Sequence, residues 1–376
     1  MNTPARPGLD GVVAAETRLS HVDGLRGRLV IAGFSVEDLA PNASFEQVVY
    51  LLWNDEVPNT ADLGSFQRRL AERRRLPETA GMILREAAAK SVPPITALRM
   101  AAGGLDADLS QADTREQAES VLARVPVVVA AYHRLLANLD PVEPRADLGA
   151  AANYLYMLTG TEPPSDRVRA LDTYWNTVVD HGLNASTFTA RVIVSTRSDL
   201  ISAVTGAVGA LKGPLHGGAP GPALDMVFEI GAARNAEPYL RRKLERGERL
   251  MGFGHRVYKV RDPRADVLNA AARLVRNEEF EETYALARHV EEVAVRLLEE
   301  YKPGRAIQTN VEFYTALLLH GLGLKAELFT PTFAASRVAG WIAHCMEQLD
   351  SGRILRPEST YVGHAGRSWA SLGDRA

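Results

Sequence analysis

Apolar residues recur at three- and four-residue intervals along most of this chain, and few segments alternate as a half-buried strand would. The fold therefore has to be built mainly from helices. In SFEQVVYLLW, Ser44 and Gln47 form a capping-box pattern ahead of an apolar run. In SDLISAVTGAVGALKGP, Ser198 is placed to cap, Leu200, Val204, Val208 and Leu211 share one face, and Gly213-Pro214 ends the helix. A further helix is expected to open at Thr330-Pro331, with proline in the first helical position, and to run through Trp341 to Leu349. The best strand signal, GLRGRLVIAGF at 24–34, predicts a small N-terminal hairpin around Leu29, Val30 and Ile31. The expected fold class is all-α with this minor β element. The closing HAGRSWASLGDRA is polar and punctuated by Gly and Ser, which predicts a loosely ordered tail.

A length of 376 residues leaves room for two domains or one large, elaborated one. Lys and Arg number 43 against 46 Asp and Glu, a net charge of -3. No large basic field results, so nucleic acid is not an expected partner. The run Arg73-Arg74-Arg75 reads as a solvated helix face. MNTPARPGLDG lacks the apolar stretch of a secretory signal, and PVVVAAY (126–132) is far too short to cross a bilayer, so no membrane role is expected either. A single cysteine, Cys345, excludes an intramolecular disulfide and a Cys-based zinc cluster, and no metal site is expected. Together these features fit a reducing cytoplasm.

Two of the nine histidines stand in unusual settings. His216 precedes Gly217-Gly218, and His255 closes Gly252-Phe253-Gly254-His255; glycines there let backbone or ligand approach an imidazole closely. On local grounds alone each remains either a loop histidine or a catalytic one. Three features add to them. Arg264 follows His255 within HRVYKVRDPR. Arg337 shares a helical stripe with Phe333 and Trp341, and so needs an anionic partner, a protein carboxylate or a ligand, or must snorkel outward. Glu312, in TNVEFYTALLL, is either an N-terminal helix carboxylate or a base held against apolar walls. No Walker loop, G-x-S-x-G elbow or H-E-x-x-H pair is present, so nucleophilic serine chemistry and zinc hydrolysis lack support.

KGPLHGGAP (212–220), MGFGHRVYKVRDPR (251–264) and TNVEFYT (309–315) together resemble the citrate synthase family. VDGLRGRLVIAGFSVEDLA (22–40), FEQVVYLLWNDEVPN (45–59), NYLYMLTGTEPP (153–164), VVDHGLNASTFTARV (178–192) and RPESTYVG (356–363) extend the likeness, in order, over nearly the whole chain. The resemblance implies a citrate-synthase-like, two-domain helical fold and a homodimer. The large domain would comprise 1–216 and 318–376, and the small domain 217–317. It implies condensation of acetyl-CoA with oxaloacetate and hydrolysis of citryl-CoA to citrate and CoA, with no permanently bound cofactor. By motif, His216 would stabilise the enol of the thioester, His255 would polarise the ketone of the 2-oxo acid, and Glu312 would be the base. His181, Arg264 and Arg337 would bind oxaloacetate, with Arg356 contributed across the dimer interface. Arg256 and Lys259 are candidates for the phosphates of CoA.

These roles agree with physical chemistry. A carboxylate removes a weakly acidic methyl proton only if the developing enolate is stabilised as it forms, and a neutral histidine can do so while leaving the base charged. Arginine forks match the two carboxylates of oxaloacetate. Two positions depart from the family pattern: Glu312 stands where aspartate is usual, and Gly182 where many relatives carry glutamate. Propionyl-CoA in place of acetyl-CoA, as in 2-methylcitrate synthase, is the neighbouring expectation, since one methylene is worth only about 1–3 kcal/mol of discrimination. A weakly active paralogue that binds CoA or a dicarboxylate is the more distant one.

Overall fold

A helix that is apolar on all sides has to be buried on all sides. Phe329–Ser351 meets that condition: Ala334, Val338, Ala339, Trp341, Ile342 and Cys345 are all inaccessible. Around it pack the helices Phe45–Asn54, Thr114–Leu136, Ser165–Val178, Ala185–Ser195 and Leu200–Leu211. The computed structural model describes residues 7–9, 11–109, 111–217, 220–255, 257–275 and 278–369. Among them are sixteen α-helices and one three-stranded sheet, so the chain is all-α with a minor β element. No helix among the described residues is long and apolar enough to cross a membrane. The apolar run PVVVAAY lies within Thr114–Leu136, in the core.

Several local expectations hold and several shift. Ser44 and Gln47 form both halves of the capping box. The Leu200–Leu211 helix is capped by Asp199 rather than Ser198; the Asp199 carboxylate accepts the Ser202 amide at 2.7 Å. The central helix starts at Phe329, ahead of the expected Thr330, because a 3₁₀ turn, Ala326–Leu328, leads into it. Pro331 still falls in the first turn, where the missing N–H has no helical acceptor. The expected hairpin is a three-stranded antiparallel sheet, β1 (Ser20–Asp23), β2 (Arg28–Ile31) and β3 (Phe34–Ser35). Its first strand lies upstream of Gly24 in the polar stretch SHVD, and Gly24–Gly27 serve as the turn, with Asp23 accepting the amides of Leu25 and Arg26.

The arginine run departs most. Arg74 is only 5% exposed and donates to the Arg145 carbonyl, and the carbonyls of Arg73 and Arg75 accept from Arg124. The run ties the end of Thr60–Glu72 to its neighbours through buried Arg74 and the backbone of Arg73 and Arg75, while Arg75 itself is exposed as expected. After Ser351 the described chain has neither helix nor strand and is mostly exposed up to Trp369; residues 370–376 of the expected loose tail lie outside the described residues.

A buried acid near the start of Phe45–Asn54 makes stability pH-dependent. Asp172 accepts the Phe45 amide at 3.2 Å. Burial, and then the neighbouring Glu46 carboxylate, push its pKa up to about 7 from 3.8. Between those values the folded state holds a proton that the unfolded state has lost, so stability falls as pH rises from about 4 to about 7 and is level above. Asp172→Asn keeps an acceptor for the Phe45 amide and removes the charge. It should raise Tm relative to the native chain more at pH 8 than at pH 5, which paired thermal melts will measure.

Candidate active site

Backbone hydrogen bonds tie the segment of His255 to that of Glu312, both expected to carry chemistry. The Gly254 amide donates to Gln308 O at 2.8 Å and the Asn310 amide to Gly252 O at 3.0 Å. Gly252 sits at φ +85°, and a Cβ there would meet the Phe313 side chain at 2.9 Å, so only glycine fits the turn. Asn310 completes the clasp. Its Oδ1 caps the helix Val311–Gly321 by accepting the Glu312 amide at 3.0 Å, while its Nδ2 donates to Gly254 O at 2.8 Å. Glu312 and His255 are thus fixed to each other by one asparagine.

His255 has a defined tautomer. Its Nδ1 accepts the amides of Val257 and Tyr258 at 3.0 and 3.1 Å, so the proton of the neutral ring is on Nε2. That Nε2 lies 3.4 Å from Arg264 Nη2. Burial, then the Arg264 charge, pull its pKa down to about 4. Arg264 is largely committed to Asp262, which takes Nε at 3.0 Å and Nη2 at 2.8 Å and leaves the rest of the fork for another anion. Asp262 also accepts the Val311 amide at 3.2 Å, joining this pair to the helix of Glu312.

His216 reaches the Ala185–Ser195 helix. Its Nε2 lies 2.7 Å from Ser186 Oγ and accepts the Ser186 amide at 3.3 Å, which places the ring proton on Nδ1. Ser186 is held in turn by the Trp341 indole N–H at 3.0 Å. Burial, then Arg337, lower the His216 pKa to about 4, so both histidines are neutral at physiological pH. Gly217 O accepts Thr330 Oγ1; Gly218 lies outside the described residues. His181 is also neutral, its pKa driven well down by burial and then by Arg264, Arg337 and His255, and its Nε2 lies 3.2 Å from the Tyr258 hydroxyl.

Arg337 is 2% exposed, donates Nε to Val178 O at 2.6 Å, and lies over the Phe333 ring at 4.5 Å. Among the described residues no carboxylate forms an ion pair with it. Its charge acts on His181, His216 and Glu312 alike. Glu312 is half-buried in the cleft, and burial lifts its pKa to about 7 against the opposing pull of Arg264 and Arg337. The arrangement offers one carboxylate with a raised proton affinity, two neutral imidazole donors and two cations. Such a set can move a carbon-bound proton and stabilise negative charge on oxygen.

Beside His255 opens a cavity of about 660 Å³ lined also by Tyr258, Lys259, Arg249, Lys302 and Arg305. Its basic rim suits a large anion. Arg256 lies outside the described residues. Arg356 is exposed, and the Leu355 amide beside it donates to Ser195 Oγ, at the opposite end of the Ala185–Ser195 helix from Ser186. One chain by itself does not bring Arg356 to the cluster. Four supporting residues escaped the sequence reading: Ser186, Tyr258, Asp262 and Asn310. All fall inside the recognised motifs, but only the third dimension reveals their partners.

A family pattern described as "Citrate synthase, C-terminal domain" matches residues 8–358. The chain belongs to the citrate synthase family. Among curated relatives it is 41% identical to citrate synthase 2 of Bacillus subtilis, over 99% of this chain and 100% of that one. It is 37% identical to a 2-methylcitrate synthase of Mycobacterium tuberculosis, over 96% and 91%. Among solved structures, the citrate synthase of Pyrobaculum aerophilum aligns with a TM-score of 0.90 at 34% identity, covering 100% of this chain and 97% of that one. That of Thermoplasma acidophilum, solved as a ternary complex with carboxymethyl coenzyme A and oxaloacetate, aligns with a TM-score of 0.91 at 28% identity over the full length of both. As a citrate synthase family member the chain is an acyl-transferring enzyme. Gly182 sits at φ +60°, a conformation that disfavours glutamate, and its amide donates to Ser20 Oγ at 2.8 Å.

Proposed function

We propose that the chain condenses acetyl-CoA with oxaloacetate and hydrolyses the citryl-CoA formed, with the site residues in the roles that follow. Glu312 takes a proton from the thioester methyl group, and the Nδ1–H of His216 donates to the thioester oxygen as the enol forms. The nucleophilic carbon bonds to the ketone carbon of oxaloacetate, and the Nε2–H of His255 donates to the oxygen that gains charge. Arg337, the outer part of Arg264 and His181 hold the two carboxylates, with the partner subunit's Arg356 completing the set in a cytoplasmic homodimer. Water then cleaves the thioester, releasing citrate and CoA. The phosphates of CoA fall to the basic rim of Arg249, Lys259, Lys302 and Arg305; Arg256, outside the described residues, is a further candidate from the motif. In this reading 217–317 is the smaller domain, bringing His255, Arg264 and Glu312 to a cleft faced by His181 and Arg337. The observation that carries the reading is a carboxylate with its pKa raised to about 7, clasped by Asn310 to a histidine held neutral.

The likeness to 2-methylcitrate synthases supports propionyl-CoA as a second acyl donor. Free-thiol release from acetyl-CoA and from propionyl-CoA, each with and without oxaloacetate, decides both points. Oxaloacetate-dependent release is the expected result, with the higher kcat/KM for acetyl-CoA. A reversed ratio would make the chain a 2-methylcitrate synthase, and no release from either would overturn the condensation.

A further inference from the structure

Tyr258 is the residue on which the 2-oxo acid side of the site converges. It is 3% exposed. Its hydroxyl lies 3.2 Å from His181 Nε2, and its amide donates to His255 Nδ1 at 3.1 Å. Its ring packs 4.9 Å from the His255 ring and edge-on to the His181 ring at 5.7 Å, and the Arg264 guanidinium lies 5.6 Å from its centroid. One side chain thus packs against two neutral histidines and an arginine, and it lines the cavity itself.

We propose that Tyr258 is a positioning residue for the dicarboxylate half of the reaction: its hydroxyl fixes the ring of His181, while its amide fixes the proton of His255 on Nε2. The inference rests on the reading that this cleft takes oxaloacetate. The two contacts are separable. The amide persists whatever the side chain, so the His255 tautomer does not depend on the phenol. The hydroxyl contact depends on the phenol alone. Burial raises the Tyr258 pKa well above 10.0, so the hydroxyl stays un-ionised and able to donate at any working pH. Without it, a buried imidazole nitrogen loses its partner, and His181 must reorient or recruit water.

The discriminating variant is Tyr258→Phe, which keeps the ring, the Arg264 and His255 contacts and the amide, and is expected to fold. KM for oxaloacetate should rise about fivefold to tenfold with kcat changed by less than about threefold, the loss of one buried hydrogen bond. In spectra of the enzyme labelled with ¹⁵N-histidine, the ring nitrogens of one histidine should shift, and His181→Gln should delete those same signals. The His255 signals should keep the pattern of a ring protonated on Nε2. An unchanged KM together with unmoved imidazole signals would overturn the proposal, as would an equal loss in kcat, which would mark a general packing role. The spectra require no turnover, and thiol release by the native enzyme separately tests the oxaloacetate reading. A native enzyme inactive with oxaloacetate but with the expected spectral shift would therefore sink the substrate assignment and leave the Tyr258–His181 contact standing.

Discussion

Glu312→Gln is expected to lower turnover by roughly a thousandfold while leaving oxaloacetate binding nearly unchanged, because a positioned general base is worth about 10²–10⁴ in rate. The amide matches the carboxylate in shape, so the Asn310 clasp and the helix start survive and only proton abstraction is lost. The direct measurement is exchange of the acetyl methyl protons of acetyl-CoA, or of a non-reacting analogue, in heavy water: it should vanish in the variant. Full turnover in Glu312→Gln would place the base elsewhere. The native enzyme should also carry a signature in its pH profile. Glu312 acts as a base only when ionised, and burial holds its pKa up to about 7. The kcat/KM should therefore rise with pH through about 7 and level off above, and the residual activity of Glu312→Gln should lack that limb. His216 and His255, each with a pKa lowered to about 4, stay neutral across this range and add no limb of their own.

The second large effect is expected at Arg337, and it carries opposite signs for binding and stability. A guanidinium that is 2% exposed, with burial lowering its pKa to about 10 against the pull of Asp180, is held in the fold at a cost. Its Nε donates to Val178 O, a bond that orients the fork without neutralising it. Arg337→Met should therefore weaken oxaloacetate binding by roughly a hundredfold or more, the effect of removing one partner of a buried charge pair. The same change removes a buried cation that no carboxylate among the described residues ion-pairs, and replaces it with an apolar chain of similar length, so the Tm of the ligand-free enzyme should hold or rise. Calorimetric titration with oxaloacetate and a melt of the empty enzyme test the two halves together. A variant that binds normally would show that Arg337 serves the fold; one that loses both binding and several degrees of Tm would show that Asp180 needs it as a structural counter-ion.

The two positions that the resemblance marks as departures differ in kind. Gly182 fits a left-handed turn that ties the His181 segment to β1 through Ser20, so it reflects local backbone geometry. Glu312 keeps the charge and adds a methylene at the first turn of its helix, where the Asn310 cap and the Asp262 contact to Val311 fix the backbone. The extra length must then be taken up by the side chain, within a cleft where about 1 Å of misplacement matters.

Sequence alone determined the helical class, the apolar helix around Trp341 and the capping box at Ser44, and it singled out the residues proposed to carry the chemistry. Each of these is written in short-range patterns: 3.6-residue periodicity, a hydroxyl three residues from an amide side chain, and glycines beside a histidine. It also placed Arg337 on an apolar stripe, but left open whether a protein carboxylate would meet it. Only the tertiary structure decided that question, because ion pairing depends on contacts between segments far apart in the chain, as between Val178 and Arg337. The same reason hid the burial of Arg74, the upstream strand Ser20–Asp23 and the Asn310 clasp. Protonation was likewise beyond the sequence. A histidine becomes a neutral donor with its proton on a chosen nitrogen only when backbone amides, as at His255, or a serine held by a distant tryptophan, as at His216, take up the other nitrogen. Residue identity supplies the acid, base and donor types, and the fold sets their charge state and their aim.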